Sequence, residues 1–236
     1  MRPNVTSPTV SVVIPCYRVR AHILGVIANI GPEVVRIYVV DDACPEETGK
    51  FVQEVVSDPR VQVIFNDSNL GVGGATMAGL SRACEEGADI VVKIDGDGQM
   101  DAARIPEFVG ILASGDADYA KGNRFFDLEG LATMPFVRLV GNAVLSFLTK
   151  LSTGYWHIMD PTNGYFAIRA SIVPLLPAGK IAQRYFFESD LLFRLNLLGA
   201  RVVDIPMPSR YNGEASSLQP YRELPIFAIS HLRNLC

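Results

Sequence analysis

A mostly parallel α/β sheet flanked by helices is the fold class this sequence predicts, and three observations predict it. Four short β-branched runs in the first half alternate with longer segments of helical spacing. The runs are almost continuously apolar, as expected of strands covered on both faces. Three of them end in residues able to carry chemistry, at the carboxyl edge where open α/β sheets bind ligands.

The strands in order are "TVSVVIP" (9–15), "VVRIYVVDD" (34–42), "VQVIF" (61–65) and "DIVVKID" (89–95), with helical spacing over 20–30, 46–57 and 72–86 between them. After "DGDGQ", the stretch "MDAARIPEF" reads as the start of another helix. The second half is less regular. A strand at about 118–122 precedes "GNRFF", and an apolar segment and the loop "MDPTNGYFAIR" follow. A helix is expected over 184–199 and a strand at "RVVDIP" (201–206). No repeat, low-complexity tract or linker interrupts the chain, so residues 1–236 are expected to form a single domain.

Composition narrows the function. The net charge is −4, which lacks the basic footprint of a nucleic-acid binder and predicts no nucleic-acid partner. Cys16, Cys44, Cys84 and Cys236 show no CxxC spacing and read as reduced structural thiols of a cytosolic protein. His22, His157 and His231 are scattered and form no metal-binding pattern. The N-terminus lacks the apolar core of a signal peptide, and no uncharged apolar run reaches the ~18 residues of a spanning helix.

The chemistry concentrates at strand ends. Asp95 and Asp97 follow the fourth run, and side chains two apart in an extended segment share a face. Gly96 and Gly98 permit a tight turn, so an Asp-Gly turn with no ligand is one account. Two hard carboxylates converging there also suit Mg²⁺ or Mn²⁺, with Gln99 able to add a neutral oxygen. Asp42, ending the second run, either caps a helix before Pro45 or accepts hydrogen bonds from a nucleotide base. "NLGVGGATMAGL" (69–80) matches neither standard phosphate loop. Its glycines, Gly71 first, serve either helix–sheet packing or close approach to a bound nucleotide.

"SVVIPCY", "VVDDACPEET", "NLGVGGATMAGL" and "KIDGDGQM", in this order, resemble the family-2 glycosyltransferases of the GT-A fold. "KGNRF", "VRLVGNAVLSF", "DPTNGYFAIRA", "YFFESDLLFRL" and "VVDIPMPSRYNGEASSL" are similar to the branch that uses polyprenyl phosphates, dolichyl or undecaprenyl. The resemblance spans nearly all of residues 9–218. It implies inverting, metal-dependent transfer from a nucleotide-sugar donor in cell-envelope glycan synthesis. Pro15, Tyr17, Asp42 and Gly71 would then line the donor pocket, and Asp95 would lie near ribose and sugar. Asp97 and Gln99 would hold the metal, while Arg124 and Arg210 would donate to phosphate oxygens. One departure stands out. The family often has Asn-Glu after the tyrosine of P-x-Y, where this chain has Arg18-Val19.

The apolar segment, about 133–152, carries apolar residues on nearly every face. It is either a core helix or, as the resemblance implies, an amphipathic helix at the membrane interface with Arg138 and Asn142 toward the acceptor phosphate. A lipid phosphate is already anionic and needs no general base. Glu188 and Asp190 then serve as positioning groups. If the acceptor is a sugar or protein hydroxyl, Asp190 is the candidate base of a soluble enzyme. A non-catalytic nucleotide-binding domain is the third reading. The resemblance places the protein at the cytoplasmic membrane face and implies continuation beyond Cys236 into transmembrane helices.

Overall fold

A computed structural model of the chain describes residues 7–126, 136–208, 230, 231, 233 and 234. Strands β1 (Val10–Cys16), β2 (Val34–Asp41), β3 (Val61–Phe65) and β4 (Ile90–Lys93) pair in parallel in the order β3-β2-β1-β4. Beyond β4 lies β6 (Phe166–Arg169), antiparallel both to β4 and to β5 (Tyr119–Asn123). The sheet ends on β7 (Val202–Pro206), parallel to β5. The stretch expected as the loop "MDPTNGYFAIR" therefore contributes a central strand. Its first seven residues, 159–165, lie outside the strand. "FAIR" is held by strands on both sides.

The helices are α1 (Ile23–Ala28), α2 (Thr48–Val55), α3 (Gly71–Glu85), α4 (Ile105–Ala113), α5 (Phe136–Thr153) and α6 (Phe187–Leu197). Neighbouring residues of one strand serve opposite layers. Val12 and Ile14 pack with Ile23, Val52 and Phe108 on one face, whereas Val13 packs with Leu80, Phe187 and Leu191 on the other. This is why β1 is apolar at every position but Ser11. At Gly79 a Cβ would overlap the Val13 side chain, so glycine lets α3 lie close against β1.

Over residues 146–153, helix α5 turns its hydroxyls inward and apolar side chains outward. Ser146, Thr149, Ser152 and Thr153 are buried, while Val144, Phe147 and Leu151 are 47%, 56% and 48% exposed. The hydroxyl face receives His231, whose Nδ1 lies 2.7 Å from Ser152 Oγ and whose Nε2 lies 3.3 Å from Thr149 Oγ1. Phe186 meets the same ring edge-on, and Asn234 donates to Asp190 at 3.0 Å. The described C-terminal residues are thus tied to both α5 and the start of α6. Residues 133–135 of the expected helix lie outside the described residues, as do the side chains of Arg138 and Asn142. Among the described residues no helix is long and apolar enough to cross a membrane.

Burial holds the His231 pKa down to about 4, with Asp190 opposing the shift. Between that value and the ordinary ~6.5, the unfolded chain binds the proton and the folded chain does not. Stability should therefore fall as pH drops from about 6.5 toward 4 and level off below. Urea midpoints at pH 7.5 and pH 5 should differ more for the native chain than for His231→Gln.

Candidate active site

A cleft of about 610 Å³ opens at the carboxyl ends of β1, β2 and β4. Pro15, Cys16, Tyr17, Arg18 and Val19 form one wall, Asn69, Gly71, Val72 and Ala75 a second, and Asp95, Gly96 and Asp97 a third. Arg184 and Tyr185 close the mouth. Four predicted donor-site residues, Pro15, Tyr17, Asp42 and Gly71, thus meet Asp95 and Asp97 around one space. The backbone here is constrained. Arg18 and Ala43, just past β1 and β2, hold φ of 58° and 51°, a region costly for residues bearing a Cβ. The Arg18 N–H donates to Cys44 Sγ at 3.1 Å, and its guanidinium lies over the Tyr17 ring. Burial, then the nearby Asp41 carboxylate, pushes the Cys16 thiol well up, so it forms a neutral patch of wall.

The acidic turn differs from the extended segment expected. β4 stops at Lys93, and a turn begins at Gly96. Gly96 has no room for a side chain, because a Cβ would come within 2.9 Å of Val19. Asp95 Oδ1 accepts from the buried Lys93 Nζ at 2.6 Å. Asp97 Oδ1 accepts the Gln99 N–H at 3.0 Å, and the Gln99 side chain is exposed. In kind, the Asp97 carboxylate and the nearby Gln99 amide oxygen fit a hard divalent cation, with the Asp95 carboxylate two residues away. Among the described residues no group of three or more His, Cys, Asp or Glu converges. Water and substrate phosphate would have to complete the coordination, as is usual for Mg²⁺.

Four predicted residues already have partners within the protein. Asp42 is buried, and its carboxylate accepts from Asn66 at 2.8 Å, Leu70 N at 2.9 Å and Gly71 N at 2.7 Å. It shapes the cleft wall by holding the turn into α3. Arg124 forms a bidentate pair with the buried Asp160, at 2.7 and 2.9 Å, so much of its fork is already committed. Asp190, the candidate base, is 2% exposed and accepts from Ala182 N and Asn234. It braces the start of α6. Glu188 is also buried, and its Oε1 lies 3.9 Å from Lys93 Nζ. Burial raises its pKa. Arg210 lies outside the described residues.

The start of α3 is occupied by protein. Gln183 O accepts from Gly73 N at 2.8 Å and Gly74 N at 3.3 Å. Gly71 adopts φ +84°, and a Cβ there would press on Gln183 O and Arg184. Among the described residues, Arg184 makes no ion pair, and its side chain is exposed at the cleft mouth. Sequence reasoning missed Arg184 and Tyr185. The only available signal was their position immediately before "FFESD".

Comparison with known proteins agrees with this geometry. Residues 11–174 match the family described as Glycosyl transferase family 2. The chain is 30% identical over 213 residues to the UDP-N-acetylglucosamine--dolichyl-phosphate N-acetylglucosaminyltransferase of Methanococcus voltae, covering 84% of each chain. It is 30% identical to the undecaprenyl-phosphate mannosyltransferase of Micrococcus luteus, covering 72% of this chain and 70% of that one. It is likewise 30% identical to the polyprenol monophosphomannose synthase of Mycolicibacterium smegmatis, covering 83% of this chain and 75% of that one. Among solved structures, glucosyl-3-phosphoglycerate synthase of Mycobacterium tuberculosis, in complex with Mn²⁺, UDP and phosphoglyceric acid, superposes with TM-score 0.70. That match covers 97% of this chain and 77% of the other at 22% identity, which establishes the GT-A architecture.

Removing the Asp42 carboxylate strands two backbone donors and the Asn66 amide. Asp42→Ala should cost about 1–3 kcal/mol in urea denaturation, the price of leaving buried donors unpaired. A residue serving only the nucleotide would leave the midpoint unchanged.

Proposed function

This chain belongs to glycosyl transferase family 2, and we propose that it moves a sugar from a nucleotide-diphosphate sugar to a polyprenyl phosphate. The transfer inverts the anomeric centre, depends on Mg²⁺ or Mn²⁺, and occurs at the cytoplasmic membrane face, where nucleotide sugars are met. The relatives named for dolichyl-phosphate, undecaprenyl-phosphate and polyprenol substrates support the acceptor class.

One observation carries the reading furthest. Helix α5 buries its hydroxyls and exposes Val144, Phe147 and Leu151, and Trp156 beside it is 59% exposed and in edge contact with Phe147. In water this arrangement sacrifices apolar burial. Against lipid it is favourable, and Lys150 at the rim suits the headgroup layer. A lipid-linked acceptor would reach the protein along this face.

The chemistry follows from the acceptor. A phosphate monoester is anionic near neutral pH, so its oxygen can attack the anomeric carbon without a base. The new C–O bond forms opposite the departing nucleoside diphosphate, which gives inversion. Asp97 and Gln99 would hold the cation against the diphosphate, with Asp95 toward ribose and sugar. Bound there, the metal would neutralise charge developing on the leaving group. Pro15, Tyr17, Gly71 and the Asp42-braced turn would shape the base and ribose pocket. Arg138 and Asn142 on α5, with Arg210, remain the proposed acceptor-phosphate contacts. The lipid-phosphate reading is supported over the hydroxyl-acceptor one by the Asp190 carboxylate, the candidate base, being buried and accepting from Ala182 and Asn234.

Incubation with Mn²⁺, a panel of nucleotide sugars, and either polyprenyl phosphate or simple sugars should place label on the lipid phosphate alone. Asp97→Ala should abolish that turnover. Label only on hydroxyl acceptors would overturn the proposal, and donor binding without transfer would indicate a non-catalytic domain. Phe147→Glu/Trp156→Glu should reduce co-sedimentation with anionic phospholipid vesicles by roughly tenfold or more, as two inserted side chains are lost.

A further inference from the structure

Lys93 is the last residue of β4 and is 1% exposed. It lies opposite Phe166 of β6, directly beneath the acidic turn. A buried ammonium requires close anions, and Lys93 has two within 4 Å, with Asp97 adding a weaker pull. Its Nζ lies 2.6 Å from Asp95 Oδ1 and 3.9 Å from Glu188 Oε1. The site is built to admit this contact. At Gly164 a Cβ would overlap Lys93 Nζ and come within 3.1 Å of Asp95 Oδ2, so the glycine of "PTNG" leaves the space the pair occupies.

The consequence concerns the two carboxylates above. Asp95 and Asp97 are of the same kind and two residues apart, and a divalent cation would ordinarily take oxygens from both. They are not equivalent here. Asp95 Oδ1 is in direct contact with the Lys93 ammonium, whereas Asp97, whose Oδ1 accepts the Gln99 N–H, is the weakest of the three carboxylates acting on that charge. We propose that Lys93 is a positioning residue that keeps Asp95 out of the metal's coordination, reserving it for the sugar and ribose and leaving the cation to Asp97. This inference rests on the metal reading of Asp97 given above. Glu188 balances the arrangement by giving Lys93 a second anion within the protein.

The test is Mn²⁺ binding to the purified chain without nucleotide, followed by electron paramagnetic resonance, alongside turnover. Lys93→Met should bind Mn²⁺ about tenfold more tightly than the native chain, the coupling expected between adjacent charges, while its kcat falls. Lys93→Met/Asp95→Asn should lose the gain, and Lys93→Arg should retain native affinity. If Lys93→Met does not fold, Lys93→Met/Glu188→Gln removes one charge of each sign and carries the same expectation. Unchanged or weaker Mn²⁺ affinity in a folded Lys93→Met or Lys93→Met/Glu188→Gln protein overturns the proposal. If Asp97→Ala leaves native Mn²⁺ binding intact, the metal reading itself fails and this inference falls with it. If Asp97→Ala removes the binding but loss of Lys93 does not tighten it, this inference alone fails.

Discussion

Two buried lysines in the sheet are the constraint around which its neighbouring loops are arranged. Lys93 on β4 and Lys121 on β5 both lie opposite Phe166, so they flank it on one face of three adjacent strands. Both are essentially inaccessible to water. Their surroundings differ in how well they compensate. At Lys93 burial favours the neutral amine, but Asp95 and Glu188 outweigh it and hold the pKa above its usual value. At Lys121 burial prevails over Asp160 and Asp204, and the pKa is lowered. Asp160 stays a strong acid despite its burial because Arg124 grips it. Such networks add little net stability, yet removing one member leaves a costly unpaired charge. Positions of the acidic turn, the start of α6 and the Arg124 loop are therefore mutually dependent.

The first half of the fold was legible because its strands are covered on both faces. Val12 and Val13 point to opposite cores, so the run cannot alternate with polar residues, and its apolar continuity marks a parallel strand. The strand β6 was not legible. It has four residues, follows a Pro-Thr-Asn-Gly turn, and ends on Arg169, so no periodicity could develop. Its pairing is supplied by β4 and β5 from distant sequence, which is a tertiary fact. The apolar segment reads as a helix from its spacing, but that spacing does not disclose where its hydroxyls point. Ser146, Thr149 and Ser152 recur every three residues, and that hydroxyl stripe points inward toward a histidine about eighty residues away.

In the candidate site, residue types proved easier to read than partners. The place of Asp95 and Asp97 at a strand end followed from the pattern of runs. That Asp95 shares its carboxylate with Lys93 could be suspected from spacing but not established, since β4 ends between them. Asp42 and Asp190 were singled out as acids at informative positions. Their actual partners are backbone N–H groups at the starts of segments, Leu70 and Gly71 for one and Ala182 for the other. Acids that brace turns and acids that meet ligands occupy the same kinds of sequence position, and only hydrogen-bond geometry separates them.

Charge balance now sharpens what the proposed reaction demands. A site that brings a diphosphate and a phosphate monoester together must offset several negative charges in a small volume. The sequence offered Arg124 for that purpose, but its guanidinium already neutralises Asp160. Lys93 is likewise held by Asp95 and Glu188. Among the described residues lining the cleft, the cations without an ion pair are Arg18, on the β1 wall, and Arg184, at the mouth. Arg18-Val19 stands where the resemblance leads one to expect Asn-Glu, so that departure removes an acid and adds a cation on the donor side. Two arginines still leave a deficit when both phosphorylated substrates are present. A divalent cation at Asp97 would therefore be a requirement of simultaneous binding as well as of the chemical step, and donor and acceptor affinities should depend on it together.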